Sequence, residues 1–202
     1  MEKIRFETIK EKHQVEQFLD KILNYTGVML PVTYANSSKI VGVFAQNKLV
    51  AGYMLVTKPG FRSLLFVPDK IKKSNSFFDN DQYEMMEVNG LWMGPSVKSP
   101  KLQFKIWLHL IKDIFQSRKK YLLLMSNSRN KNIEYLHSLS NPDTLYEGAP
   151  QLMVGDASYS NIRVSYTTRW KLVLNVPKYW FEHKNRQRRA QSNSKTRTLV
   201  RT

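Results

Sequence analysis

The chain has 202 residues, 42% hydrophobic and 12% aromatic, with 32 Lys and Arg against 16 Asp and Glu and a formal charge of +16. One domain with a real core fits that length. The absence of cysteine excludes disulfides and thiolate chemistry and favours a reducing, cytoplasmic compartment.

Lys3 to Thr8 alternates and predicts a first strand. Thr8 and Glu11 fit a capping box. Val15, Phe18, Leu19, Ile22 and Leu23 then carry helical spacing to a stop near Gly27. Leu30-Pro31-Val32 reads as a connector. Ile40–Ala45 and Leu49–Val56 predict two strands joined by Gln46-Asn47-Lys48 as a hairpin loop. Phe61–Val67 is expected as a further short strand, and Ser74–Gln82 as a polar loop.

Tyr83–Met93 has the content of a buried strand, interrupted only by Gly90. Gly94–Pro100 stops it. Ser99 and Pro100 make a good N-cap and first helical residue, since proline has no amide left unpaired. Phe104, Trp107, Leu108, Ile111 and Phe115 predict the buried stripe of the following helix. Tyr121–Met125 suits a strand covered on both faces. Asn127–Asn130 opens a helix carrying Ile133, Leu136 and Leu139. Thr144–Glu147, Ile162–Tyr166 and Trp170–Val176 are expected as the last strands. Beyond Phe181, Lys and Arg are opposed only by Glu182, which predicts a disordered basic tail.

The first six residues hold no signal-peptide core, and no apolar run approaches the ~20 residues that span a bilayer. The four histidines are scattered without metal-ligand spacing, so no metal is expected.

A strand that feeds a helix through a short basic turn is where α/β proteins place anionic ligands. The element order and the segments Asn47–Tyr53, Leu91–Ile106 and Tyr121–His137 resemble the GNAT-like acyltransferase superfamily. The resemblance covers roughly residues 1 to 175. It implies an α/β fold, a single GNAT-like domain (1–176) with a mixed central sheet flanked by helices, followed by the tail (177–202). It also implies an enzyme that moves an acyl group from a thioester donor, acyl-CoA or acyl carrier protein, to an amine. The family's cofactor loop is a proline, two residues, then R-G-x-G-x-G/A. Here Pro95 fits, Lys98 stands at the arginine, and Ser99, Lys101 and Gln103 occupy the small-residue positions. Glycines there let backbone amides approach a pyrophosphate, and Pro100 removes one such amide. Lys98 and Lys101 remain as point charges for phosphate.

Cofactor contacts implied by the resemblance are Lys98, Ser99, Lys101, Asn130 and the backbone around Met93, which would polarise the thioester carbonyl. The family's proton-donating tyrosine aligns with His137, whose ordinary pKa of about 6.5 suits an acid at neutral pH. A helix histidine without chemistry is the plainer alternative, and Tyr135 is a neighbouring substitute. Glu87 is the best-placed base for the amine, with a salt bridge in a lysine-rich protein as its alternative role. The aromatics Trp92, Phe104, Trp107 and Phe115 serve as core or as an acyl pocket.

The charge, with Trp170, Tyr179, Trp180 and Phe181 beside the tail, leaves a second expectation open. The chain would then be an inactive GNAT-like module that docks an acidic protein assembly, an anionic membrane face or nucleic acid. No motif supports sequence-specific nucleic-acid readout.

Overall fold

The computed structural model describes residues 4–127, 131–151 and 161–199. Among the described residues seven strands form one sheet in the order β1-β2-β3-β4-β5-β7-β6. They are β1 (Ile4–Ile9), β2 (Lys39–Ala45), β3 (Lys48–Val56), β4 (Met85–Met93), β5 (Tyr121–Asn127), β6 (Asp143–Gly148) and β7 (Ile162–Thr168). All neighbours are antiparallel except β4 and β5. The helices are α1 (Lys12–Thr26), α2 (Val32–Asn36), α3 (Arg62–Leu65), α4 (Asp69–Ser74), α5 (Pro100–Gln116), α6 (Lys131–Ser138), α7 (Arg169–Leu174) and α8 (Val176–Leu199). The expected mixed sheet flanked by helices is the fold observed. Among the described residues no helix is long and apolar enough to cross a membrane.

The β2–β3 hairpin turns on Gln46 and Asn47, at φ 48° and 63°. Two consecutive left-handed residues match the twist of the flanking strands, which is why the shortest hairpin loops use them.

Several segments depart from the sequence expectations, each for a local reason. Phe61–Val67 is not a strand: Arg62–Leu65 is the helical turn α3, whose first amides are held by Glu87. Trp170–Val176 is not a strand either. Thr168 accepts from the Lys171 amide at 3.1 Å and starts α7 as a helix. The connector at Leu30–Val32 runs into α2. Thr8 lies in β1, and Glu11 is the residue before α1 without a side-chain cap bond, so no capping box forms. Ser99 does stand at the N-cap of α5 with Pro100 first in the helix, again without a side-chain bond.

The buried face of α5 is Ile106, Leu110, Ile111 and Ile114. The expected aromatic stripe is rotated off it, with Leu108 and Phe115 at 40% and 37% exposure. Phe104 and Phe115 instead meet the C-terminal helices, against Trp180 and Trp170 respectively. The segment expected as a tail is helical to Leu199, and its first turns are packed. Val176 and Tyr179 lean on the core between sheet and α5.

What positions the site is a fork in the sheet. β4 and β5 pair only through Met85–Tyr121, Met86–Leu122 and Glu87–Leu123. Beyond that point the ladder ends. Across β3, the register shifts so that Gly52 opposes Trp92 while Met54 opposes Asn89, leaving one extra residue on β4. Gly90, at φ +56°, sits in that bulge. A glycine in the left-handed region kinks one strand and increases its local twist, here just after the pairing with β5 stops.

Candidate functional site

The fork opens onto a cavity of about 310 Å³. Strand alternation brings walls from both faces of the sheet: Leu123 and Met125 point one way, Leu122 and Leu124 the other. One end is lined by Ile22, Thr26 and Val28 around the end of α1. The other lies under α5 and α7, at Leu110, Ile114 and Leu172. Helix α6 adds Ile133, Leu136 and His137, and α8 adds Tyr179.

Glu87 stands at the base of the fork, 3% exposed. Its Oε1 accepts from the Tyr34 hydroxyl and from the Arg62 amide at 2.9 Å. Its Oε2 accepts from the Ser63 amide at 3.1 Å and the Ser63 hydroxyl at 2.6 Å. A carboxylate has about four lone-pair sites, and all are taken. The side chain ties α2, α3 and β4 together, and no Lys or Arg side chain bridges it among the described residues. Burial, with the adjoining Glu87 charge, holds the Tyr34 phenol far above its usual pKa. Tyr34 also accepts from Asn89 Nδ2 at 3.2 Å.

His137 is half-buried and lines the cavity. Burial pushes its pKa down to about 4, against a smaller upward pull from Glu134. The imidazole is therefore neutral at pH 7. The next ionisable wall residue is Tyr179, whose hydroxyl donates to the Leu136 carbonyl at 3.1 Å. Burial pushes it up to about 12, with the Ser140 hydrogen bond opposing, so it keeps its proton across the physiological range. The sequence reading missed Tyr179 because Tyr179-Trp180-Phe181 looks like an interfacial aromatic cluster. Only Tyr179 turns inward, while Trp180 packs tilted against Phe104 of α5 at 4.9 Å and His183 stacks on it at 4.8 Å. Tyr135 turns to Glu182, with 3.1 Å between its hydroxyl and the carboxylate, and is not in the cavity wall.

Thus Glu87 and His137 come together on one cavity. Met93, Lys98, Ser99 and Lys101 are not in its lining, and Asn130 lies outside the described residues. The loop before α5 is closed on itself: Gln103 Nε2 donates to the Val97 carbonyl at 2.9 Å, and Val97 is buried. Lys98 and Lys101 are exposed on it, without a carboxylate partner among the described residues.

No model of a known protein family matches this sequence, and no curated protein does. Solved structures do. FeeM, an N-acyl amino acid synthase from uncultured soil microbes, superposes with a TM-score of 0.59 at 10% identity, over 84% of this chain and 92% of that one. The ribosomal-protein-S18-alanine N-acetyltransferase of Escherichia coli gives 0.57 at 9% identity, over 82% and 94%. A Bacillus subtilis acetyltransferase in complex with CoA gives 0.53 at 10% identity, over 82% and 99%. The fold of this chain is that of the GNAT-type N-acyltransferases.

Proposed function

We propose that the chain transfers an acyl group from a thioester donor, acyl-CoA or an acyl carrier protein, to an amine. The observation that carries this is the fork, which leaves the facing main chains of β4 and β5 unpaired above an apolar cavity. An extended donor arm with amide groups can add to such strand edges as a further strand would. In the reaction the amine nitrogen attacks the thioester carbonyl, the C–N bond forms and the C–S bond breaks. The neutral imidazole of His137 takes the proton the amine loses. The Tyr179 hydroxyl, on turning from the Leu136 carbonyl to the sulfur, supplies one to the departing thiolate. Glu87 has no free lone pair for the base role the sequence suggests. In this reading it holds α3 against the fork.

Lys98 and Lys101 serve as ammonium contacts for donor phosphates at the loop, with Ser99 between them, in place of a glycine cradle. The net charge of +16 and the exposed Lys178, Lys184 and Arg188 of α8 suit an acidic carrier protein.

The loop closed by Gln103 favours a second reading, a binding module that keeps the fold and has lost the cofactor. Its partner would dock on the basic residues from 177 onward. Thiol release separates the two. Acyl-CoA and acyl-carrier thioesters are incubated with a panel of amines, and free thiol is followed. Release that depends on the amine supports transfer. No release with any donor, up to millimolar thioester, removes the enzyme and leaves the module.

A further inference from the structure

We infer that the acyl group carried by the donor is a medium-length unbranched aliphatic chain, housed in the cavity that passes through the β4–β5 fork. This rests on the acyl-transfer reading for the chemistry at the head of the chain, while the binding of the chain itself does not.

The first argument is size. A water's share of liquid volume is about 30 Å³ and a methylene is of similar bulk, so the space matches an aliphatic chain on the order of eight to twelve carbons. A two-carbon acetyl group would leave most of the 310 Å³ empty.

The second argument is chemistry. The wall is drawn from three separate apolar clusters that meet at the fork: Ile22 from the α1 side, Leu123 from the α3 side, and Leu110 and Leu122 from the α5 side. Apart from Arg62 and His137, the polar side chains that reach it are already committed. Glu87 and Ser63 bind each other. Asn89 binds Tyr34 and the Gly90 amide. Thr26, Ser140 and Tyr179 donate to the carbonyls of Ile22, His137 and Leu136. A polar ligand would lose water there and gain few partners, whereas methylenes lose nothing. Arg62 lies at the Glu87 side of the fork, and His137 stands where a reacting head group needs one titratable nitrogen.

The third argument is shape. A branched or bulky acyl group must pass between two strands that are still paired at Glu87–Leu123. An unbranched chain can thread that gap and lie along both faces.

The test uses the full chain. Binding of acetate, octanoate, dodecanoate and hexadecanoate is followed by the fluorescence of Trp107, which lines the cavity, with Trp107→Phe as the control for signal origin. Thiol release is then compared for acetyl-CoA, octanoyl-CoA, dodecanoyl-CoA and hexadecanoyl-CoA. The expected result is no acetate binding and an optimum at eight to twelve carbons, with kcat/KM at least about tenfold above acetyl-CoA, which is 1.4 kcal/mol of discrimination. Narrowing the cavity at either end, by Leu110→Phe or Val28→Phe, should move the optimum to shorter chains. Two sites at opposite ends keep the test usable if one variant does not fold, and the wild-type series stands without either. Equal use of acetyl-CoA and dodecanoyl-CoA overturns the inference and leaves acyl transfer in place. Dodecanoate binding without thiol release from any donor does the reverse. No chain-length preference in binding or turnover overturns it outright.

Discussion

Glu87 and Asp113 are both buried carboxylates, at 3% and 6% exposure, and they are satisfied in opposite ways. Glu87 takes two main-chain amides and two hydroxyls, and no cation among the described residues bridges it. Asp113, on α5 behind β3, takes the Tyr53 hydroxyl at 2.9 Å and the Lys39 ammonium at 3.1 Å, with His109 Nδ1 at 3.9 Å. Main-chain amides cannot move away without unfolding α3. The ammonium of Lys39, whose side chain is 46% exposed, can be replaced by water. One carboxylate is thus part of the architecture of the fork, and the other is a clasp on the far side of the sheet. Burial alone does not mark a catalytic acid or base, because what decides is whether any lone pair is left over.

The largest effect is expected from Glu87→Gln. An amide NH₂ would replace an oxygen that now accepts from two donors, so donor would face donor in a dry site. The loss is about 3 kcal/mol, the scale for hydrogen bonds to a buried charge. It is read as a lower denaturant midpoint at unchanged slope. An unchanged midpoint would mean that Glu87 is not holding α3, and would return it to candidacy as the base.

A half-buried ionisable group with only the weaker pull of Glu134 to offset desolvation sharpens the contrast. His137 titrates at about 4 in the folded chain and at about 6.5 in the unfolded one. The unfolded state therefore takes up the proton first as pH falls. Stability from this residue is complete above pH 6.5 and drains away towards pH 4, by at most about 3 kcal/mol. In His137→Leu that part of the acid sensitivity should vanish, while the share due to carboxylates remains. Unfolding curves at neutral and mildly acidic pH give the difference directly. Equal acid sensitivity in both proteins would place His137 in contact with water.

The strands were legible because their signals are strong: the β2–β3 hairpin and the apolar run of β5 could hardly be anything else. Glu87 could be named because it lies on the strand expected to face the thioester, and His137 because it aligns with the tyrosine of the resembled family. Their tasks could not be read in advance. Nothing local to Glu87 says that α3 and Tyr34, distant in sequence, will fill its lone pairs. The Trp170–Val176 segment failed because seven apolar-rich residues fit a helix or a strand equally, and Thr168 as a cap decided it. The α5 stripe failed because large aromatics drew attention from Ile106, Leu110 and Ile114. Phe104 and Phe115 belong to a seam with α8 and α7 that no window within α5 can reveal. Tyr179 was hidden in the same way.

Asp113→Asn should cost less than Glu87→Gln, about 1–2 kcal/mol, because the amide oxygen still accepts from Tyr53 and only the charge facing Lys39 is lost. The variant carries a second readout. Burial lowers the pKa of His109, Asp113 raises it, and Lys112 and Lys39 lower it. Without the Asp113 charge it should fall further, measured by NMR titration of the ring that stacks on Phe6 at 3.8 Å.

The smallest effect is Lys39→Ala, within about 1 kcal/mol, since a half-exposed ammonium gains little that solvent does not also supply. Its value lies in the sign at His109. Removing a nearby positive charge should raise that pKa, opposite to the direction in Asp113→Asn. Opposite shifts with small stability changes would establish that the clasp is an electrostatic arrangement open to solvent. If Lys39→Ala cost as much as Glu87→Gln, Asp113 would depend on its ammonium as rigidly as Glu87 depends on main-chain amides. The distinction between an architectural carboxylate and an exchangeable one would then fail.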